Sequence, residues 1–219
     1  MVAAVILDLD GTLVTFTFDV RGTRQIIIAE LKGRGFDTTG LDQTTPTQRI
    51  LDAAKSQVPP RTGSEYAAFK SSVFATLDRF ELQGAESTSP LPGALDAVRY
   101  LKSKGVRLAI LTNSGRKAAS ESIRKAGLDG FFEFVLTRDD TVTMKPSPEG
   151  LVQASTILEV PVDSVYYVGD SPYDIIAARG AGARIVSVAT GSYSMERLRA
   201  EGADQVIPSL SELPRVLGV

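Results

Sequence analysis

The stretch Ile6-Leu7-Asp8-Leu9-Asp10-Gly11-Thr12-Leu13 decides how the rest of the chain is read. The apolar run from Val2 to Leu7 that leads into it reads as a buried strand. The run ends on two carboxylates one residue apart, then a glycine and a threonine. If the strand persists through both acids, Asp8 and Asp10 point to the same side and converge on one point. Two negative charges so placed call for a cation, and a hard, oxygen-liganded ion such as Mg2+ suits them. Gly11 allows a sharp departure of the chain, and the Thr12 hydroxyl can bond to the loop or to a bound anion. Asp-x-Asp-Gly alone is also an ordinary turn, so the reading depends on what distant segments add.

Downstream of Pro90 the chain alternates strands and helices. A helix from Ala94 to Lys104 precedes a strand from Val106 to Leu111, and a helix from Arg116 to Ala126 precedes a strand from Phe132 to Leu136. After a long loop come a helix from Glu149 to Leu158, a strand from Ser164 to Val168, a helix through Arg179 and a strand from Arg184 to Val188. A helix from Ser194, a short strand near Val206 and a helix from Ser209 complete the chain. This order predicts an α/β fold with a three-layer core, its sheet mostly parallel and covered on both faces.

Between the first strand and Pro90 the pattern is different. Val14 to Phe18 alternates like a short hairpin or flap, and Arg21 to Lys32 then carries Ile26, Ile27 and Leu31 at helical spacing. A second helix starts at Thr45-Pro46, with Ile50, Leu51 and Ala54 on one face, and stops at Pro59-Pro60. A third, from Ser64 to about Leu82, aligns Tyr66, Phe69, Val73, Leu77 and Phe80. A helical block inside an α/β chain suggests an inserted all-helical cap, residues 16–89, on a core formed by 1–15 and 90–219. Thr15 to Val20 and Pro90 to Gly93 are the expected linkers.

Composition narrows the chemistry. The 219 residues are 43% apolar and 23% charged, with a net charge of -2. That balance gives no electrostatic reason to expect nucleic acid or an anionic membrane as partner. The N-terminus lacks a basic segment leading into a signal-like core, so a cytoplasmic location is expected. The chain contains neither cysteine nor histidine. Thiolate chemistry, Ser-His-Asp triads and imidazole bases are therefore excluded, and hydrolysis must run on carboxylates, lysine, hydroxyls and a hard metal.

In an open parallel sheet the ligand crevice lies at the carboxyl ends of the strands. Asp8 and Asp10 follow the first strand, Thr112 and Asn113 the second, and Asp170 and Asp174 the fourth, with Lys145 in the loop after the third. Asp8 can attack phosphorus to give an aspartyl-phosphate, and Asp10 can protonate the leaving oxygen and then deprotonate the hydrolytic water. The ion would be held by Asp8, the Asp10 backbone carbonyl and Asp170. Thr112, the Asn113 amide and Lys145 would hold phosphoryl oxygens, with Asp174 orienting Lys145 or water behind them.

The set Asp8-Leu9-Asp10-Gly11-Thr12, Thr112-Asn113, Lys145-Pro146 and Gly169-Asp170-Ser171-Pro172-Tyr173-Asp174 resembles the four motifs of the haloacid dehalogenase-like (HAD) hydrolase superfamily. Val168 to Gly182 is especially close to its phosphoglycolate phosphatase-like subgroup. The resemblance implies a Rossmann-like core with a helical cap, Mg2+ dependence, and hydrolysis of a small phosphorylated metabolite such as phosphoglycolate or a sugar phosphate. The acid at Asp10 favours phosphoryl transfer over dehalogenation, since halide needs no proton. A sugar phosphomutase shares all these motifs and is the nearest rival; a non-catalytic phospholigand-binding module is the rival of another class. Gly180-Ala181-Gly182 follows a helix and precedes a strand, the reverse of the order a dinucleotide fold needs. A monomer or a homodimer is compatible with everything above. Specificity would come from cap residues, with Arg21, Arg24, Lys70 and Arg79 as candidates.

Overall fold

A computed structural model describes residues 2–15, 18–58 and 63–219. In chain order these form β1 (Ala4–Leu7), α1 (Val20–Gly33), α2 (Thr47–Gln57), α3 (Gly63–Ala85), α4 (Ala94–Ser103), β2 (Arg107–Leu111), α5 (Arg116–Lys125) and β3 (Val135–Leu136). They continue as α6 (Glu149–Ile157), β4 (Val165–Gly169), α7 (Pro172–Ala181), β5 (Arg184–Val188), α8 (Met195–Ala200), β6 (Gln205–Ile207) and α9 (Leu213–Leu217).

The strands make one six-stranded sheet in the order β3-β2-β1-β4-β5-β6, and every pair is parallel. This is the Rossmann-like arrangement. Strand order reverses between β1 and β4, the place where such sheets open a crevice at their carboxyl ends. Alternation along β1 divides the interior: Val5 and Leu7 enter one apolar layer, Ala4 and Ile6 the other. A third cluster, separate from the sheet layers, joins Ile27, Leu31, Ile50, Leu51, Ala54, Phe69, Val73 and Leu77 of α1, α2 and α3 to Met144 of the loop after β3. Among the described residues, the regular structure between β1 and α4 is thus all helical. Ile26 faces outward at 44% exposure, so the buried stripe of α1 runs through Thr23, Ile27 and Leu31.

Three expectations are corrected. The first strand stops at Leu7 and does not run through the two acids. Asp8 N–H still reaches the Val168 carbonyl at 2.8 Å, but the chain then winds into a tight loop in which Leu13 and Val14 N–H both bond the Leu9 carbonyl. Gly11 sits there at φ +80°, where a side chain would be strained and would run into the Asp170 carboxylate. The third strand is only Val135–Leu136, because β3 is an edge strand with one neighbour. The last helix begins as a 3-10 turn, Leu210–Glu212, before α9.

The proposed hairpin after Leu13 falls partly on Phe16 and Thr17, outside the described residues, as do Pro59 and Pro60. What is described pairs differently: Val14 bridges Pro90 antiparallel, Thr15 N–H bonds the Ser89 carbonyl at 2.9 Å, and Leu91 N–H bonds the Leu13 carbonyl at 2.9 Å. The two linker segments therefore run side by side. Among the described residues no helix is long and apolar enough to cross a membrane.

Candidate active site

Asp8, at the end of β1, meets Lys145 from the loop after β3: Nζ lies 2.7 Å from Oδ1 of Asp8 and 2.8 Å from Oδ1 of Asp174. It also donates to the Tyr167 hydroxyl at 2.8 Å. Burial alone would lower the lysine pKa, but Asp174 and Asp8 more than offset it and hold the ammonium charged. The loop carrying Lys145 is fixed by a reciprocal pair: Asn113 Nδ2 donates to the Lys145 carbonyl at 3.0 Å, and Lys145 N–H donates to Asn113 Oδ1 at 2.9 Å. The Asn113 side chain is thereby tied to the loop, leaving its backbone N–H and the second Nδ2 proton as donors for a ligand.

Asp174 is fully buried at the start of α7 and spends both oxygens on the protein. Oδ1 accepts from Lys145 and from Tyr167 at 2.9 Å, and Oδ2 accepts from Ser171 N–H at 3.0 Å and its hydroxyl at 2.6 Å, a capping box. It stands behind Lys145 as the sequence suggests. Asp170 is different. Burial, reinforced by Asp174 and Asp8, pushes its carboxyl well above the usual range, and no lysine or arginine among the described residues pairs with it. Gly11 and Gly191 both lie where a Cβ would collide with its carboxylate.

Ligand oxygens of Asp8, Asp170 and Asp174 all lie within 4.8 Å of one another. Three buried carboxylates share one ammonium, and two glycines leave space around the unpaired acid. This all-oxygen donor set with surplus negative charge fits a hard divalent cation.

Asp10 leaves the cluster. Its Oδ2 accepts from the Ser114 hydroxyl at 2.5 Å, so the two acids of the opening stretch are sorted to different partners. Burial pushes Asp8 up to about 7 and Asp10 up to about 6. Thr112, at the end of β2, is buried, and its hydroxyl accepts from Ser114 N–H at 3.1 Å. The Thr12 hydroxyl is fully buried without a partner among the described residues and does not line the crevice.

A cavity of about 460 Å³ opens over these groups. Asp8, Asp10, Thr112, Asn113, Lys145 and Asp170 form its floor, and Arg21 and Arg24 of α1 reach it from the helical segment. Lys70 and Arg79 do not; they lie over the rings of Phe74 and Phe80.

Two features escaped the sequence reading. Arg138, just past β3, is buried and joins the helical segment to the floor: it pairs with Asp78 at 2.5 Å and Glu81 at 2.6 Å on α3, and donates to the Asn113 carbonyl at 3.0 Å. Glu81 in turn accepts from Gly115 N–H at 2.9 Å. Reading the end of the third strand as the other strand ends were read would have found Thr137-Arg138. The second is Ser114, the residue after Asn113, to which the sequence gives no evident role.

Comparison with known proteins agrees with this arrangement. A model of the haloacid dehalogenase-like hydrolase family matches residues 2–182. A phosphoglycolate phosphatase of Cupriavidus necator is 32% identical over 98% of this chain and 92% of its own length. A pyrophosphatase of Halalkalibacterium halodurans is 26% identical over 98% of this chain and 96% of its own. Among solved structures, a hydrolase from Pseudomonas syringae superposes with a TM-score of 0.66 at 22% identity, covering 99% of this chain and 98% of that one. A Thermotoga maritima protein provisionally assigned as a beta-phosphoglucomutase gives 0.62 at 24%, covering 99% and 98%.

Proposed function

Since the chain belongs to the haloacid dehalogenase-like hydrolases, we propose that it is a Mg2+-dependent phosphatase of small phosphate monoesters, working through an aspartyl-phosphate on Asp8. The observation that carries this reading is the sorting of the two acids. Asp8 is drawn into the lysine and carboxylate cluster, while Asp10 is held apart by Ser114. A nucleophile and an acid need such different surroundings.

Asp8 attacks phosphorus, and the bond to the leaving oxygen breaks as Asp10 gives that oxygen its proton. With its carboxyl pushed up to about 6, Asp10 retains a protonated fraction near neutrality. Once the leaving group departs, Asp10 takes a proton from water, which cleaves the acyl-phosphate and frees Asp8. Lys145, the Thr112 hydroxyl and the Asn113 backbone N–H hold phosphoryl oxygens. The carboxylates of Asp8 and Asp170 and the Asp10 backbone carbonyl would hold the ion. When bound, Mg2+ favours ionised Asp8 and neutralises charge on the phosphoryl group. Asp174 keeps Lys145 in place, and Thr12 supports the loop from behind.

In this reading residues 16–89 form the cap that covers the crevice, and 1–15 with 90–219 form the catalytic core. The named activities of the two relatives, on phosphoglycolate and pyrophosphate, support a small phosphorylated substrate. The test is phosphate release from para-nitrophenyl phosphate with Mg2+ and with chelator. Release that needs both Mg2+ and Asp8 is expected; none under any condition refutes the reading. The fold is shared with a phosphomutase-like neighbour, so glucose 1-phosphate belongs in the same assay. Phosphoryl transfer without free phosphate would assign a mutase.

A further inference from the structure

The two cavity arginines of α1 differ from the other two cations that line the crevice, Lys145 and Arg138. Lys145 is bracketed by Asp8 and Asp174, and Arg138 by Asp78 and Glu81. Arg21 and Arg24 have no carboxylate partner among the described residues. They are one helical turn apart, on the same side of α1, and both line the cavity together with Asp8, Asp10, Asp19 and Asp170.

Arg24 has the stronger claim. Among the described residues its guanidinium hydrogen-bonds only the Gln43 and Thr44 carbonyls, both long at 3.5 Å. Its Nε is buried with no acceptor among the described residues. It lies 5.8 Å from the centre of the Tyr173 ring, and Tyr173 is itself held by a bond to the Thr44 carbonyl. A charged, flat donor group kept in place by an aromatic ring, with an unspent buried N–H, matches the planar oxygens of a second anion. An unsatisfied buried donor is costly, and a ligand oxygen would remove that cost. Arg24 lines the same cavity as Asp8 and Asp170. Gly191 abuts the Asp170 carboxylate, and Tyr193, two residues on, lines the cavity with Arg24 and Asp170.

We propose that Arg24, aided by Arg21, binds an anionic group on the leaving portion of the substrate, so that the enzyme acts on phosphate esters or anhydrides carrying a second negative charge rather than on sugar phosphates. The inference rests on the phosphatase reading and narrows it. A polyol leaving group would place neutral hydroxyls against Arg24 and leave its charge unanswered. A carboxylate or a second phosphoryl group would answer it.

The test has two parts. In the first, the Asp8→Asn protein is titrated calorimetrically with phosphonoacetate and with ethylphosphonate, which share the phosphonate and differ in the carboxylate. Phosphonoacetate should bind about 30-fold more tightly, and adding Arg24→Ala should bring that ratio to about 3 or less. In the second, kcat/KM is measured for 2-phosphoglycolate, pyrophosphate, glycerol 3-phosphate and glucose 1-phosphate in wild type, Arg24→Ala and Arg24→Lys. The anionic substrates should lead, Arg24→Ala should erase most of the lead, mainly through KM, and Arg24→Lys should keep part of it. A lead for pyrophosphate makes the anion a phosphate and a lead for 2-phosphoglycolate makes it a carboxylate; either supports the proposal. Equal phosphonate affinities, an Arg24→Ala variant with an unchanged ratio, or a preference for glucose 1-phosphate overturns it. No hydrolysis of any ester, with the phosphonate ratio as expected, refutes the phosphatase reading alone.

Discussion

Lys145 and Arg138 are both buried cations, and each sits between two carboxylates from other parts of the chain. Their surroundings differ in charge balance. Around Lys145 three acids share one ammonium, and Asp170 has no cation of its own. Around Arg138 one guanidinium meets Glu81, which is buried, and Asp78, whose side chain is half exposed at 50%. The first cluster is short of positive charge and faces an open cavity. The second also borders that cavity through Arg138 and Glu81, but among the described residues its one buried side-chain atom without a partner is the arginine Nε. A buried ion pair with acids in excess is poised to take a ligand; one that is balanced ties two segments together.

The largest expected effect falls on the first cluster. Asp8→Asn, with nearly the same shape, should lower kcat for para-nitrophenyl phosphate by roughly 10⁴-fold or more, because the nucleophile is lost while the fold remains. Retention of a tenth of the wild-type rate would show that Asp8 is not the nucleophile and that the unbalanced cluster is structural. Arg138→Met tests the other side. Removing one member of a buried pair leaves Glu81 without its partner, and a loss of about 3–5 kcal/mol in chemical denaturation is expected. Stability within 1 kcal/mol of wild type, together with a large loss of rate, would move Arg138 into the site and dissolve the contrast.

The sequence made one cluster legible and hid the other for a physical reason. Asp8, Thr112, Asn113, Asp170 and Asp174 follow apolar strands, and a parallel sheet brings its carboxyl ends to one edge whatever the strand order. That order itself, and the reversal between β1 and β4, could not be read from the alternation of elements. Arg138 pairs with residues 57 and 60 positions away, on a helix whose polar face carries several acids, and no periodicity marks which of them turn inward. The helical cap was legible because Leu31, Ile50, Leu51, Phe69 and Val73 recur at helical spacing, yet Ile26 shows that a stripe read without its partners errs by one position. The strand read through Asp8 and Asp10 failed for a different cause. Three backbone N–H groups fold back on the Leu9 carbonyl, and that loop geometry separates two acids that strand alternation would have aligned.

A pH series sharpens the contrast further. Asp8 and Asp10 are pushed up to about 7 and about 6 by burial, so the folded protein holds their protons after the unfolded chain has released them. Between about pH 4 and pH 7 the folded state then binds more protons than the unfolded one, and stability falls as pH rises. A shift of about two units at Asp10 alone corresponds to roughly 3 kcal/mol. The absence of histidine leaves no imidazole to mask the trend. Chelator-treated protein should show a falling Tm across this window, and Mg2+ should flatten the fall by favouring the ionised carboxylates. A Tm that rises with pH in chelator would mean that the acids of the first cluster are already balanced.

The smallest effect concerns Ser114, where the two clusters touch. Its hydroxyl holds Asp10, while its neighbours, the Asn113 carbonyl and Gly115 N–H, are held by Arg138 and Glu81. Ser114→Ala removes one hydrogen bond to the acid and leaves the loop anchored from behind, so kcat should fall about ten-fold, the worth of one such bond to a charged group. The loss should be greater for alkyl phosphates, whose departure needs the proton, than for para-nitrophenyl phosphate, whose departure does not. If Arg138 positions Asp10 through this loop, Arg138→Met and Ser114→Ala will be non-additive in kcat, since both disturb the same hydrogen bond. Additive losses would separate the two buried cations completely: Lys145 serving the reaction, and Arg138 serving only the attachment of α3.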